Sequence, residues 1–431
     1  MMDISLKGYQ RLVPILLPLA ALYLLWRARK QPDYLKHWSE RFATGTFPAK
    51  LQTKRRVWIH AVSVGETNAT RPLVKAILKA WPECDILLTH MTPTGRDAGQ
   101  KIVALAPERI QQCFLPYDAR FAVRKFFQET APDLGIIMET EVWPTLLSEA
   151  KALNIPLVLA NARLSEKSYR QAMKFPRLMT CAMHQFDLVC AQATSDQRRL
   201  EAMSAKNVTV TGSLKFDIQA PQAALSLAKD WKKDWSKPVV LLASTRDGEE
   251  ALFIDALKAN ARSDVRYLLV PRHPQRFNAV EALLKNAGIA YVKRSDLHCA
   301  TEVGSAQVIL GDTMGEMFFY CALADVCIMG GSFQPFGCQN VIEPTSVGVP
   351  VIVGPSTFNF SEVVKQGLGV GALQQVQTAK EAIDKAHSWL NDPVQLNHLK
   401  TQALVFSRTY VGATARIMKA MEPLCKKFLT S

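Results

Sequence analysis

The chain has 431 residues, of which 48% are hydrophobic and 21% are charged, so it can bury a large core and is not a disordered chain. Its formal net charge is +14, and residues 1–56 hold eleven Lys or Arg against three acidic residues. Such a basic segment suits an anionic membrane surface, whereas no nucleic-acid-binding motif accompanies the charge, so nucleic acid is not expected as a partner. Nine cysteines without a C-x-x-C pair indicate a reducing compartment and argue against a zinc site.

The first predicted element is the apolar run LVPILLPLAALYLLW at residues 12–26. As a helix it would be about 22 Å long, short of a roughly 30 Å hydrocarbon core. Arg11 precedes it, Arg27 and Arg29 follow it, and no signal-peptide cleavage site comes after it. We therefore predict a retained membrane element that lies in the interface or barely spans, with the residues from 27 onward in the cytoplasm.

Beyond residue 56, short β-branched runs alternate with helix-length segments such as RPLVKAILKAW at 71–81. This alternation predicts βαβ units and parallel, doubly wound sheets. The predicted strands of the first half are 57–62, 84–90, 134–138, 156–161, 186–192 and 208–213. Those of the second half are 238–245, 266–274, 307–313, 325–332 and 349–355.

A polar, charged segment bounded by prolines separates the two series of strands. The predicted organisation is an N-terminal membrane-associated segment at 1–46, a Rossmann-like domain at 47–216, a linker at 217–237 and a second Rossmann-like domain at 238–431. Two such domains facing each other would gather their strand ends around one central cleft, where the ligands of these sheets bind.

Acidic residues and a lysine follow predicted strands of the first half. Glu66 follows VWIHAVSVG, Glu139 and Glu141 follow LGIIM, and Lys215 follows VTVTGS. Each has a plain structural alternative, because an acid in a first helical turn complements the helix dipole and a lysine is commonly solvated. Together they would repel phosphate and suit a neutral hydroxyl group that must lose a proton.

The strand ends of the second half carry cations and glycines instead. VPRHPQR supplies Arg272, GDTMGEM supplies a glycine-rich turn, and GGSFQPFGCQNVIEP supplies further glycines and Glu343. Cations, glycine-rich loops and helix N-termini suit a phosphate group, and a following carboxylate suits a ribose diol. Glu343 alone could equally be a capping acid. The set predicts a nucleotide donor site.

These motifs, taken together and in order, resemble the Kdo (3-deoxy-D-manno-octulosonic acid) transferases of lipopolysaccharide synthesis. The resemblance rests on HAVSVGE, PYD, METEVWP, NARLS, GSLKFD, AST-x-x-GEE, VPRHPQR, GDTMGE, GGSF with N-x-x-EP, and FNF. It implies an inverting GT-B glycosyltransferase that needs no metal or other cofactor. It also implies CMP-Kdo as donor and a tetra-acylated lipid A precursor as acceptor, at the cytoplasmic face of the inner membrane.

Transferred by motif, the resemblance makes Glu66 the catalytic base, with Glu139 and Lys215 assisting the transition state. The residues that it assigns to CMP binding are Pro271, Arg272, Met314, Gly315, Glu316, Asn340, Val341, Ile342 and Glu343. One departure is visible: residues 337–340 read Gly-Cys-Gln-Asn where the family usually has Gly-Gly-His-Asn. Gln339 can donate a hydrogen bond but cannot carry charge, so donor affinity or its pH dependence is expected to differ.

Three other functions are compatible with parts of the pattern. A GT-B enzyme or epimerase acting on a UDP-sugar would bind UDP in preference to CMP. A non-catalytic nucleotide sensor would leave Glu66 with no role beyond capping a helix. A dehydrogenase fits less well, since no G-x-G-x-x-G follows a strand.

Overall fold

The computed structural model describes residues 4–29, 31–51, 55–260 and 262–429, with the backbone alone at 426–429. The chain forms two compact units. Unit 1 comprises Met1–Ile218 and Val411–Ser431, and unit 2 comprises Gln219–Tyr410. Lys30 and Lys54 of the predicted basic segment lie outside the described residues.

Unit 1 is built on one sheet of seven parallel strands. The strands are β1 (Arg55–His60), β2 (Cys84–His90), β3 (Ile110–Phe114), β4 (Leu134–Met138), β5 (Leu157–Ala162), β6 (Leu188–Ala191) and β7 (Val208–Val210). Their order in the sheet is β3-β2-β1-β4-β5-β6-β7, so the winding reverses between β1 and β4. Ligands of doubly wound sheets bind beyond the carboxyl ends of the strands at this kind of reversal.

Nine α-helices precede or follow these strands in the described part of unit 1 before residue 218. They are α1 (Leu6–Ala28), α2 (Trp38–Arg41), α3 (Val64–Ala80), α4 (Pro93–Val103), α5 (Arg120–Thr130), α6 (Pro144–Ala152), α7 (Glu166–Ala172), α8 (Pro176–Met183) and α9 (Thr194–Ala202). Apolar clusters cover both faces of the sheet, which explains why its central strands are buried along nearly their whole length.

Helix α1 is longer than the apolar run that predicted it. Its 23 residues correspond to about 34 Å, which is enough to cross a hydrocarbon core of roughly 30 Å. Pro14 and Pro18 lie inside the helix. The expected length of about 22 Å was therefore too short. By length and composition, α1 can span a membrane.

One face of α1 packs on unit 1 and the other is open. Leu17 packs against the core of unit 1, and Leu24 is buried. Ile15, Leu19 and Leu22 form an apolar strip on the open face, with exposed fractions of 71%, 59% and 60%. Because this spacing of four and three residues follows the helical repeat, the strip is continuous along the helix.

Two residues of the predicted basic segment do not contribute to a basic surface. Arg56 is fully buried and its guanidinium lies 2.5 Å from the Asp85 carboxylate. Arg41 is also buried, and its Nη1 donates a hydrogen bond to the Met91 carbonyl at 2.9 Å. The count of basic residues therefore overestimates the positive charge that this segment can present to a membrane.

Unit 2 is built on a second sheet of seven parallel strands. The strands are β8 (Val239–Thr245), β9 (Arg266–Pro271), β10 (Tyr291–Lys293), β11 (Val308–Leu310), β12 (Val326–Met329), β13 (Val351–Val353) and β14 (Leu373–Gln375). In the order β10-β11-β9-β8-β12-β13-β14 the winding reverses between β8 and β12, and unlike the first sheet this one has its fourth strand, β11, inserted between β9 and β10. The predicted fold class, two Rossmann-like sheets and an N-terminal apolar helix, is confirmed.

The helices of unit 2 flank its sheet. They are α10 (Gln222–Lys233), α11 (Glu249–Asn260), α12 (Phe277–Asn286), α13 (Met317–Leu323), α14 (Ile342–Ser346), α15 (Ser361–Gly369), α16 (Ala379–Leu390) and α17 (Pro393–Tyr410). Helix α10 falls in the segment expected to be a linker. It is instead packed into unit 2, because Trp231 is buried against the ring of Phe319 at a centroid distance of 5.2 Å.

The last helix, α18 (Ala413–Leu429), belongs to unit 1. Residues 411–431 were expected in the second domain, but they belong to unit 1. Ile417 and Met421 are fully buried in the apolar cluster that contains β1 and α3. The start of the helix is fixed by Asp217, whose carboxylate accepts the Gly412 N–H at 2.6 Å.

Candidate active site

Glu66 lies in the first turn of α3, directly after the short connection from β1. Ser63 caps the helix, and its hydroxyl accepts the Glu66 N–H at 3.4 Å. The Glu66 carboxylate accepts the Val62 N–H at 2.7 Å and the Ser63 hydroxyl at 3.1 Å. The arrangement resembles a capping box, except that the carboxylate accepts the N–H of Val62 and not that of the N-cap residue Ser63, and it agrees with the structural alternative of a first-turn acid.

The environment of Glu66 is unusual for a capping acid. Burial, followed by the charges of Glu139 and Glu141, raises its pKa to about 7 against the opposing effect of the hydrogen bonds from Val62 and Ser63. A surface capping acid would have a lowered pKa, since it accepts hydrogen bonds and faces a helix dipole. A carboxylate that titrates near neutrality can exchange a proton with a substrate.

Glu139 and Glu141 follow β4, the strand beside β1. Neighbouring parallel strands place the residues that follow them at the same edge of the sheet, which explains the electrostatic contact with Glu66. Glu139 has a left-handed backbone with a φ of 57°, a conformation that is costly for a residue other than glycine. Glu141 accepts the indole N–H of Trp143 at 3.0 Å, and burial raises its pKa.

Lys215 lies close to Glu139, although it follows β7, the strand at the edge of the sheet. It lies in a short 3₁₀ turn after β7, and its Nζ is 3.6 Å from Oε1 of Glu139. The fully buried Asn161 at the end of β5 connects the two segments, since its Oδ1 accepts the Leu214 N–H at 3.0 Å and its Nδ2 lies 3.4 Å from Oε1 of Glu139. The sequence signal for Asn161 was its place in the NARLS motif, which had no assigned role.

In unit 2, three of the predicted nucleotide-binding residues come together. Burial raises the pKa of Glu343, and a hydrogen bond from Asn340 and the charge of Arg272 oppose that rise. Arg272 follows β9, and its backbone N–H donates to the Thr245 carbonyl at 2.9 Å. This group offers a guanidinium, an amide and a carboxylate to one ligand, the combination expected for a phosphate and a ribose.

The MGE turn after β11 forms a second group. Gly315 adopts a φ of 89°, which glycine alone adopts readily, and Met314 is exposed. Glu316 is paired with Arg294 at 2.9 Å and accepts a hydrogen bond from Thr313. Since β11 lies beside β9, this turn and Arg272 are at the same edge of the sheet.

The remaining predicted residues are buried. Pro271 ends β9, and Val341 and Ile342 are packed in the core at the start of α14. Their side chains therefore shape the loop, and a ligand would meet their backbone groups.

Glu249 organises this site but was not predicted from the sequence. Its buried carboxylate accepts the backbone N–H groups of Arg246 at 2.8 Å, Gly331 at 2.6 Å and Phe333 at 2.8 Å. One carboxylate thus fixes the glycine-rich loop after β12 to the turn after β8. The AST-x-x-GEE motif contained it, but the sequence did not indicate which backbone groups it would bind.

Gln339, the departure from the family pattern, lies over the same loop. The backbone N–H of Gln339 donates to the Gly330 carbonyl at 3.0 Å. A Cβ atom on Gly331 would come within 2.9 Å of its side-chain nitrogen, so the side chain rests on the bare glycine backbone.

Comparison with known proteins finds relatives of one class, the Kdo transferases that the motifs resemble, along nearly the whole chain. The family model described as 3-deoxy-D-manno-octulosonic-acid transferase (kdotransferase) matches residues 36–218. The chain is 42% identical to the 3-deoxy-D-manno-octulosonic acid transferase of Bordetella pertussis, over 94% of this chain and 96% of the relative. It is 31% identical to the Haemophilus influenzae protein of the same description, over 97% and 98% of the two chains.

Among solved structures, the UDP-GlcNAc 2-epimerase of Neisseria meningitidis bound to UDP-GlcNAc has a TM-score of 0.56. It shares 14% identity over 85% of this chain and 99% of that chain, a likeness of fold alone. The two doubly wound sheets and the transferase relatives define a glycosyltransferase of the GT-B class. The chain belongs to the 3-deoxy-D-manno-octulosonic acid transferase family and is an enzyme of lipopolysaccharide biosynthesis.

Proposed function

We propose that the enzyme transfers Kdo from CMP-Kdo to a hydroxyl group of a tetra-acylated lipid A precursor, with inversion and with Glu66 as the general base. Unit 1 activates the acceptor, and unit 2 binds the nucleotide of the donor. The observation that carries the proposal is the half-buried Glu66 carboxylate beside Glu139 and Glu141 at one edge of the sheet, with a pKa of about 7. This proton affinity suits a group that must be ionised before reaction and protonated after it.

In the proposed step, the acceptor oxygen attacks the anomeric carbon of Kdo while Glu66 takes the hydroxyl proton. The bond from that carbon to the phosphate oxygen breaks, and CMP leaves from the opposite face with the electron pair. Arg272 offsets the charge of the leaving phosphate. Lys215 and Glu139 form a pair whose lysine offsets negative charge near the reacting atoms.

Several residues complete the proposed donor site. Asn340 and Glu343 bind the ribose, and the buried Pro271, Val341 and Ile342 present backbone groups to the nucleotide. The Met314-Gly315-Glu316 turn closes the same edge of the sheet. Because Arg294 already pairs with Glu316, that carboxylate is held in one orientation before a ligand binds.

The membrane part of the proposal rests on α1. Its exposed apolar strip would enter the cytoplasmic face of the inner membrane, as an anchor or as an interfacial helix, and would keep the enzyme beside its lipid acceptor. Anionic headgroups would add attraction to the exposed basic residues that follow the helix.

The direct test is Glu66→Gln, assayed by mass spectrometry of the product formed from CMP-Kdo and the lipid A precursor. The amide keeps the hydrogen bond from Val62 but removes the base, so turnover should fall by roughly 10²–10⁴. Glu166→Gln is the matched control, because Glu166 is an exposed acid on α7 paired only with Arg170 in the described contacts. Near-normal turnover of Glu66→Gln would refute the proposed role.

Nucleotide identity is tested separately. Thermal unfolding with CMP or CTP should show stabilisation of the protein, whereas UDP should have little effect. The opposite preference would favour an enzyme acting on a UDP-sugar.

A further inference from the structure

A buried histidine lies behind the Glu66 turn and is not part of the proposed chemistry. His90 is the last residue of β2, the strand next to β1, and its side chain is fully enclosed. Its Nδ1 lies 2.9 Å from the carbonyl oxygen of Ala61. A carbonyl oxygen can only accept a hydrogen bond, so Nδ1 carries the proton and donates it.

The same peptide group contacts Glu66 at its other end. The Ala61 carbonyl and the Val62 N–H belong to one peptide bond, and that N–H donates to the Glu66 carboxylate at 2.7 Å. The bond is trans, since the described chain contains no cis peptide, so its two polar groups point in opposite directions. The imidazole, the peptide and the carboxylate therefore form one line of two hydrogen bonds.

We propose that His90 is a positioning residue for the catalytic base, acting on Glu66 through the Ala61–Val62 peptide. This inference rests on the proposed function of Glu66. The imidazole holds the plane of the peptide, and its bond to the carbonyl polarises the amide so that the Val62 N–H becomes a better donor. Both effects fix and stabilise the ionised carboxylate before the acceptor binds.

The surroundings keep this arrangement rigid. Thr92, just after β2, donates its hydroxyl to the Val62 carbonyl at 3.0 Å, so the next peptide of the turn is held as well. Gly95 lies so close to the turn that an added Cβ would be 2.7 Å from the Val62 carbonyl oxygen. Burial lowers the pKa of His90 to about 4, so the ring stays neutral and keeps its single Nδ1 proton at neutral pH.

A comparison of two substitutions separates positioning from packing. His90→Leu fills most of the space without a donor, whereas His90→Asn keeps an N–H near the place of Nδ1. We expect His90→Leu to lower kcat by roughly tenfold, to leave the KM for CMP-Kdo unchanged and to move the acidic limb of the pH profile upward. His90→Asn should recover most of kcat and the normal limb.

His60→Leu is the matched control for loss of a buried imidazole. His60 is equally enclosed at the end of β1, but its Nδ1 contacts the Thr89 hydroxyl at 2.9 Å and not the turn. We expect this variant to be less stable without a displaced acidic limb. Equal losses in His90→Leu and His90→Asn, with no displacement of the limb, would overturn the inference in favour of packing. Wild-type kcat in His90→Leu would overturn it as well.

A double variant distinguishes this inference from the proposed function. If Glu66 is the base, His90→Leu should cause no further loss of turnover in a Glu66→Gln background. An active Glu66→Gln enzyme would refute the proposed base whatever the histidine does. An inactive Glu66→Gln enzyme beside a fully active His90→Leu enzyme would refute the positioning role alone.

Discussion

The Nζ atom of Lys215 lies 3.6 Å from Oε1 of Glu139, although β5 and β6 separate the strands that precede these two residues. The chain returns to the centre of the sheet through the turn after β7, which Asn161 holds by the Leu214 N–H. The buried amide of Asn161 therefore positions the turn that brings Lys215 to the acidic group.

Asn161→Ala should lower kcat by roughly tenfold through displacement of Lys215, with no change in CMP affinity. The buried Leu214 N–H would lose its acceptor, which costs about 1–3 kcal/mol of unfolding free energy. Steady-state kinetics and denaturant unfolding measure the two effects. Asn207→Ala is the control, because its side chain bonds to the Asp187 carbonyl at an exposed site. Unaltered kcat in Asn161→Ala would contradict the bridging role.

The pH dependence of turnover should show an acidic limb near pH 7, where Glu66 ionises. Activity rises with pH through this range because the base must be ionised. Glu139→Gln removes a negative charge that raises the pKa of Glu66, so the limb should move to lower pH even as the maximal rate falls. Profiles of kcat/KM against pH for the wild type and Glu139→Gln test the shift. An acidic limb that moves to higher pH would contradict it.

Relative to the wild type, the Glu66→Gln protein should gain unfolding free energy at pH 8 and gain little at pH 5. The pKa of Glu66 is raised on folding, so its favourable contribution is complete below the unfolded value near 4.5 and is lost as pH rises through about 7. The amide avoids that loss, a gain of about 1–3 kcal/mol at pH 8. Denaturant unfolding of both proteins at the two pH values measures it. A gain confined to pH 5 would contradict the sign.

Arg272→Ala should weaken CMP binding by roughly tenfold to a hundredfold, because a charge-assisted contact to phosphate is lost. Glu343→Gln should weaken it less, since the amide can still accept a ribose hydroxyl. Titration calorimetry with CMP measures both. Glu281→Gln is the control, because Glu281 pairs with Tyr291 on another part of unit 2. Unchanged CMP affinity in Arg272→Ala would remove this arginine from the donor site.

Serine substitutions at Ile15, Leu19 and Leu22 should release the enzyme from sedimented anionic vesicles without unfolding it, because these side chains are exposed in α1. Removal of the whole segment is a poorer test, since Leu17 and Leu24 pack on unit 1. Val394→Ser is the control, since Val394 is an apolar residue of unit 2 that is more exposed still. Full co-sedimentation of the triple variant would contradict a role for the strip.

The sequence predicted the long apolar strands of both sheets but missed three short ones. β3, β10 and β14 read IQQCF, YVK and LQQ, and each is at the edge of its sheet. An edge strand has a neighbour on one side only and is shorter and more polar than a central strand, so it lacks the continuous β-branched run that identified the others.

The candidate site was predictable where a residue follows a strand in sequence. Glu66 and Glu139 follow central strands of the first sheet and Arg272 follows a central strand of the second, and parallel topology places such residues at the carboxyl edge of their own sheet. His90 and Glu249 were not predictable, because they act through backbone groups brought close only by folding. Arg56 was wrongly expected to add to a basic surface, because its charge is paired with that of Asp85 in the interior.

Helix α18 completes the core of unit 1 only after the ribosome has made all of unit 2. During synthesis, the middle of the chain can fold as a continuous piece while the cluster around Ile417 and Met421 still lacks its final layer. Unit 1 is therefore the last to mature, and a premature stop codon shortly before residue 411 would leave an apolar face of its sheet uncovered.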